Sequence, residues 1–252
     1  MQLVVDGLLT SYSRIGKGKA VLLLHGWGDS QQTFSRLVKD LSAKYEIITV
    51  DLPGFGASQS PDKAWQLEDF SNFLNEFVRK AKIGSLYAIV GHSNGGAIAI
   101  QALASKQLKS EKLILLASSG IRTGSSLRKI IFQIIAKTGN LATIWMPERY
   151  RLALRKSLYN TAGSDYLAVP HMEETFKNIV RRDVQKEASE LNLPVLLIYA
   201  DGDNDVPLSH GKIYDRIIKD SKLVIIPEAG HFVHHDQPED VYKEIVGFLN
   251  AK

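Results

Sequence analysis

Ser93 lies in Gly91-His92-Ser93-Asn94-Gly95-Gly96, a Gly-x-Ser-x-Gly pattern. Before it runs Leu86-Tyr87-Ala88-Ile89-Val90, which is short, apolar and β-prone; after it runs Ala97–Ala104, which reads as helix. A serine set between a strand and a helix in this pattern occupies a sharp, strained turn with its Oγ exposed at the strand tip. Gly91 and Gly95 are needed because a Cβ at either position would collide with the neighbouring strand or helix. The helix that follows points its free N–H groups and positive dipole end at any oxyanion formed beside the serine. The backbone N–H of Asn94, next to the nucleophile, is therefore one expected oxyanion donor.

A serine hydroxyl is a weak nucleophile at neutral pH. It needs a base, and the base needs an acid to orient it. Both are present in the chain order Ser, Asp, His. The histidine is His231, in Glu228-Ala229-Gly230-His231-Phe232. The acid lies in Ala200-Asp201-Gly202-Asp203-Asn204-Asp205-Val206-Pro207, where three aspartates compete.

These residues need a scaffold that gathers them at one edge. Leu3-Val4-Val5 and Leu8–Tyr12 flank Asp6-Gly7, a hairpin signal. Ala20–Leu24, Glu46–Val50, Leu86–Val90, Lys112–Ala117, Pro194–Ala200 and Lys222–Pro227 are strand-sized apolar runs, several of them continuous, as in strands buried on both faces. Helical spacing covers Phe34–Tyr45, Leu67–Ala81, the stretch after Ser93, about Ser209–Lys219, and Glu239–Ala251. Such alternation predicts an α/β fold: a mostly parallel sheet with helices on both faces, its functional residues outside the carboxyl ends of the strands. Residues 121–190 break the rhythm, with helical stretches at Leu127–Lys137, Glu148–Leu158 and His171–Glu187 and no strand-like run. This stretch carries 12 Lys/Arg against 7 Asp/Glu, so nearly all of the basic excess of a chain with net charge +4 lies in it.

With these elements in place, the chain resembles the α/β-hydrolase superfamily of serine hydrolases. The resemblance rests on His25-Gly26-Trp27-Gly28, Asp51-Leu52-Pro53-Gly54-Phe55-Gly56-Ala57-Ser58, the Ser93 turn, the acid loop, and Gly230-His231 followed by Gln237-Pro238-Glu239. It implies an eight-stranded sheet, Ser93 as nucleophile and His231 as base. It further implies a core domain of residues 1–120 and 191–252, with a helical cap, 121–190, inserted after the sixth strand. The family's Gly-x-x-Asp-x-x-Val-Pro register favours Asp203 over Asp205 as the acid. The resemblance also makes the backbone N–H of Trp27 the second oxyanion donor.

Plainer roles compete at several positions. His25 is a substrate-binding candidate, but a loop-organising role suits it better. His92 reads as a packing or hydrogen-bonding residue beside the turn, and Asp51 as a turn acid. His234 and His235 are expected on a solvated helix approach rather than on a metal, and no metal or cofactor is expected. Trp145 and Tyr150 are substrate-binding candidates from the cap, as are Met172 and Phe176, although a small core within the cap explains these residues equally well.

The 252 residues suffice for a substantial core. Cysteine is absent, which removes disulfides and thiolate chemistry. Scattered lysines argue against nucleic acid as a partner, and no apolar run is long enough for a membrane span. A cytoplasmic monomer or homodimer acting on a small-molecule ester is expected. The leading function is a carboxylesterase working through a Ser-His-Asp triad. Hydrolysis of carbon–carbon bonds in ring-cleavage products, or of lactones, is the alternative on the same triad. A receptor-like member with a nearly silent triad is the alternative of another class.

Overall fold

The computed structural model describes residues 1–122 and 169–251. Eight strands form one sheet: β1 (Gln2–Val5), β2 (Leu8–Ile15), β3 (Ala20–Leu24), β4 (Glu46–Val50), β5 (Leu86–His92), β6 (Ser110–Leu116), β7 (Val195–Ala200) and β8 (Ser221–Ile226). Their spatial order is β1-β2-β4-β3-β5-β6-β7-β8. β1 and β2 pair antiparallel, as do β2 and β4, and every other pair is parallel. The first hairpin closes through Asp6 and Gly7 at φ 49° and 83°. Two successive positive φ angles give the turn a twist that matches the strands, and the Asp-Gly pair supplies it.

Strand alternation sends Leu22 and Leu24 to one face of the sheet and Val21 and Leu23 to the other. The helices, numbered over the described residues, divide accordingly. α2 (Leu67–Lys80), α3 (Asn94–Ala104), α4 (Glu173–Arg181), α5 (Gln185–Ser189) and α6 (Leu208–Ile217) pack into the first layer. α1 (Ser35–Leu41), α7 (Val233–Asp236) and α8 (Pro238–Asn250) pack into the second. Among the described residues, no helix is long and apolar enough to cross a membrane.

Two helical expectations need correction. Phe34–Tyr45 is not one helix: a 3₁₀ turn at Gln31–Phe34 leads into α1, which ends at Leu41. His171–Glu187 divides into a 3₁₀ turn (Pro170–Met172), α4 and α5. Arg182 becomes extended at ψ 131°, and the Asp183 carboxylate accepts the N–H groups of Arg122 and Gln185 at 2.7 and 2.8 Å. Apolar spacing alone does not register such a side-chain bond, which ties the returning chain to the residues just after β6. Leu127–Lys137 and Glu148–Leu158 lie outside the described residues, as do Trp145 and Tyr150.

The last helix is fastened by one lysine. Lys112 of β6 is 8% exposed, and its Nζ donates to the carbonyls of Phe248 at 2.8 Å and Ala251 at 2.6 Å. Its charge thus meets the negative end of α8. The Tyr87 hydroxyl donates to Leu249 beside it. Lys112→Met keeps the side-chain volume and removes the donor. It is expected to lower the unfolding free energy by about 1–3 kcal/mol, read as a lower urea midpoint at unchanged slope; an unchanged midpoint would show that packing and the Tyr87 bond hold α8 without Lys112.

Candidate active site

Ser93 caps α3 at φ 50° and ψ −117°, a conformation that L side chains rarely adopt. The turn is held on three sides. The Ser93 N–H donates to Leu116 O at 3.0 Å, and its carbonyl accepts from the N–H groups of Gly96 (3.1 Å) and Ser119 (3.0 Å). The surrounding glycines are forced by proximity. A Cβ on Gly91 would lie 2.5 Å from Gly96 Cα, and one on Gly95 would lie 2.2 Å from the carbonyl oxygen of Leu24 in β3. The strand–turn–helix crossing is therefore closer than any side chain permits. Ser93 is less open than the turn alone suggests: it is 9% exposed, because the neighbouring loops close over it. In the loop after β3, a Cβ on Gly26 would come within 3.2 Å of Ser93 Cβ.

At the ends of β7 and β8, Asp203 and His231 meet, with Asp203 Oδ2 2.8 Å from His231 Nδ1. Asp203 Oδ1 accepts the backbone N–H groups of Asp205 and Val206 at 2.8 and 2.9 Å. Burial pushes the Asp203 carboxyl up, but the hydrogen bond and charge of His231, aided by those two amides, outweigh it and hold the group below its usual range. The other aspartates have different surroundings. Asp201 braces the base loop, its Oδ1 accepting the Glu228 N–H at 3.0 Å. Asp205 is exposed and lends its own N–H to Asp203. Its carboxylate still comes within 4.8 Å of the ligand atoms of Asp203 and His231. Within this cluster both oxygens of Asp203 are engaged, Oδ2 by His231 and Oδ1 by the backbone N–H groups of Asp205 and Val206.

Trp27 follows β3 at the same edge. Its ring stands edge-on to Phe55 (centroids 4.8 Å) and packs on Phe176 of α4 (5.1 Å). Met172 is buried in the same layer, where a Cβ on Gly54 would meet its Cε at 2.6 Å. Asn94 opens α3 beside Ser93, 3% exposed. The indole Nε1 of Trp27 and both amide atoms of Asn94 are buried without hydrogen-bond partners among the described residues. His25 is fully buried, and both of its nitrogens meet the backbone: Nδ1 lies 2.7 Å from Gly26 O, and Nε2 accepts the Leu52 N–H at 3.0 Å. Both contacts are satisfied by a neutral ring protonated at Nδ1. Burial lowers its affinity for a second proton, so His25 organises its loop and offers no nitrogen to a ligand. Asp51 does the same for its own loop, accepting from Gln31 N (2.7 Å), Gln31 Nε2 (3.0 Å) and Ala57 N (3.0 Å).

Among the histidines around the site, His234 departs from expectation, whereas His92 packs and hydrogen-bonds beside the turn as expected. His234 is not on a solvated approach: α7 turns it inward to 1% exposure, with Nε2 3.2 Å from Thr33 Oγ1, while His235 stays exposed. His92 is equally buried, and its Nε2 lies 3.0 Å from His231 O. No local sequence signal marks either contact, because the partners are far apart along the chain. Burial is the main cause holding both rings neutral, with values of about 3 for His92 and about 2 for His234 against an ordinary 6.5. The sign of the resulting pH dependence follows. Below pH 6.5 the unfolded chain binds protons that the folded chain refuses, so stability falls with pH by up to about 1.4 kcal/mol per unit for each ring. Unfolding free energies measured from pH 7 to 5 should show this decline, and His234→Gln should flatten it. An equally steep profile in that variant would rule out the assignment to His234.

Behind the turn, the hydroxyls of Tyr199 and Tyr214 donate to the carbonyls of Ser118 (2.9 Å) and Ser119 (2.7 Å). They lock the end of β6, which in turn holds Ser93. Sequence reading missed both: Tyr199 in its apolar run reads as core, and Tyr214 among charged residues reads as an ordinary helix position.

Residues 21–244 match the alpha/beta hydrolase family. A 2-hydroxy-6-oxo-6-(2'-aminophenyl)hexa-2,4-dienoic acid hydrolase of Metapseudomonas resinovorans is 25% identical over 98% of this chain and 89% of its own length. A pimeloyl-[acyl-carrier protein] methyl ester esterase of Aliivibrio salmonicida is 25% identical over 94% of each chain. In fold, the chain superposes on the crystal structure of a putative lipase of Acinetobacter baumannii AYE with a TM-score of 0.79, at 21% identity, covering 99% of this chain and 90% of the other. The strained serine turn, the sheet order and the length of the family match agree: this chain belongs to the alpha/beta hydrolase family.

Proposed function

We propose that this protein is a carboxylesterase that works through Ser93, His231 and Asp203. The observation that carries the reading is the buried Asp203–His231 pair at 2.8 Å, on the same sheet edge as a serine held at φ 50°. His231 takes the Ser93 proton as Oγ attacks the ester carbonyl. Asp203 holds the imidazole with Nδ1 protonated and offsets the charge it gains. The N–H groups of Trp27 and Asn94 receive the oxyanion, with the N-terminal dipole of α3 behind them. The alcohol leaves with the proton from His231, and a water activated by the same base hydrolyses the acyl-enzyme. Residues 121–190, where the strand alternation breaks, are assigned as the cap of this site, and their basic excess suits a substrate that carries negative charge.

Carbon–carbon bond hydrolysis is the second reading, favoured by the dienoic acid hydrolase among the relatives. One experiment separates the readings. A fluorophosphonate probe is expected to label Ser93 stoichiometrically. Short p-nitrophenyl esters should then turn over faster than a ring-cleavage dienoate or a simple lactone. Labelling with a preference for the dienoate would favour the second reading, and absence of labelling would exclude both.

A further inference from the structure

We propose that His92 is a positioning residue for the base: through its bond to the His231 carbonyl it sets where that imidazole stands relative to Ser93. The inference rests on the hydrolase reading above and adds to it a residue outside the triad.

The two histidines are 139 positions apart in the chain, yet His92 Nε2 lies 3.0 Å from the main-chain oxygen of His231. A carbonyl only accepts, so Nε2 carries the hydrogen and Nδ1 keeps the lone pair. That Nδ1 is buried and has no hydrogen-bond partner among the described residues. Leaving a buried acceptor unpaired is unfavourable. An apolar side chain would fill the same space, among Phe232 (centroids 5.1 Å) and His234 (4.8 Å), without that cost. What the imidazole adds is therefore the Nε2 donor.

The position of this donor gives it leverage. His92 is the last residue of β5, and Ser93 is the next residue. The base sits on a loop after β8 that is held upstream by Gly230 N–H to Asp236 Oδ2 at 2.8 Å and by the Asp201–Glu228 bond. Asp203 fixes the rotation of the His231 ring from its Nδ1 side. None of these bonds refers the base to the nucleophile strand. The His92 bond does, because its donor belongs to the residue covalently joined to Ser93. An error of about 1 Å in such a distance costs roughly 10²-fold in rate. The ionisable groups around His92 are His231, Asp203, His234 and His235, and burial keeps the His92 ring neutral among them, so the donor persists through the working pH range.

The test compares H92Q with H92M. These side chains match in length, and only glutamine carries an N–H. H92M is expected to lose about 10- to 100-fold in kcat with KM within about twofold, and to label with fluorophosphonate more slowly in proportion. The low-field Nδ1–H signal of His231, which reports its bond to Asp203, should shift in H92M. H92Q should restore rate and signal to within about threefold of the native protein. Equal rates in the two variants, an unmoved His231 signal in H92M, or loss of folding in both would overturn the proposal. The signal needs no turnover: failure of the native protein to label would defeat the hydrolase reading, whereas an unmoved signal defeats the role of His92.

Discussion

Ser93→Ala is expected to lower p-nitrophenyl ester turnover by on the order of 10⁵- to 10⁶-fold, with the fold intact. The rate falls this far because the base and acid act only through the nucleophile, so its removal disables the whole unit. What survives is the catalysis available from the oxyanion donors and from binding, roughly 10³-fold over water. The fold survives because Ser93 enters the structure through its backbone. Its N–H bonds Leu116 O, and its carbonyl accepts from Gly96 and Ser119, and alanine keeps all three bonds. Alanine also adopts the φ of 50° at a cost similar to that of serine. Thermal unfolding of the variant should therefore lie within about 1 kcal/mol of the native protein. Native-like turnover in a correctly folded Ser93→Ala protein would exclude the mechanism.

Asp203→Asn is expected to cost about 10⁴-fold in kcat, while Asp205→Asn stays within about tenfold of native. The reason is the division of labour between the two oxygens of Asp203. Oδ1 is claimed by the N–H groups of Asp205 and Val206, which only donate. An asparagine must turn its carbonyl oxygen toward them, and its NH₂ then faces His231. That amide donates to Nδ1 and selects the imidazole with its proton on Nε2, which cannot take a proton from Ser93. Asp205 contributes charge from an exposed position and no bond to the ring, so its loss is screened by solvent. Measured kcat values for the two variants decide the matter; an equal loss in both would mean that the acids share the role.

Much of the scaffold was legible in the sequence because strands buried on both faces must be apolar without interruption, and β3 and β7 are, as are Leu86–Val90 of β5 and Leu113–Leu116 of β6. The hairpin was legible because Asp-Gly suits the two positive φ angles of its turn. Helix boundaries were less so. The break at Arg182–Val184 depends on the Asp183 side chain meeting Arg122, a contact between segments about 60 residues apart that periodicity does not encode. The burial of His234 was misjudged for a similar reason. Beside the exposed His235 and Asp236 it reads as surface, and only the docking of α7 against Thr33 turns it inward.

The sequence by itself determined the strained serine turn, because its strand–Gly-x-Ser-x-Gly–helix context is local and Gly91 is demanded by contact with Gly95 and Gly96 within the turn, whereas Gly95 answers to the approach of Leu24 in β3. It also determined the family, because motif spacing follows strand ends that apolar runs already mark. The tertiary structure decided which of three aspartates faces His231, that His25 has no nitrogen to spare, and that His92 reaches the main chain of the base. Local features follow from the covalent neighbourhood and its steric limits. A hydrogen bond between residues 139 positions apart exists only after the sheet has brought β5 and the end of β8 to one edge.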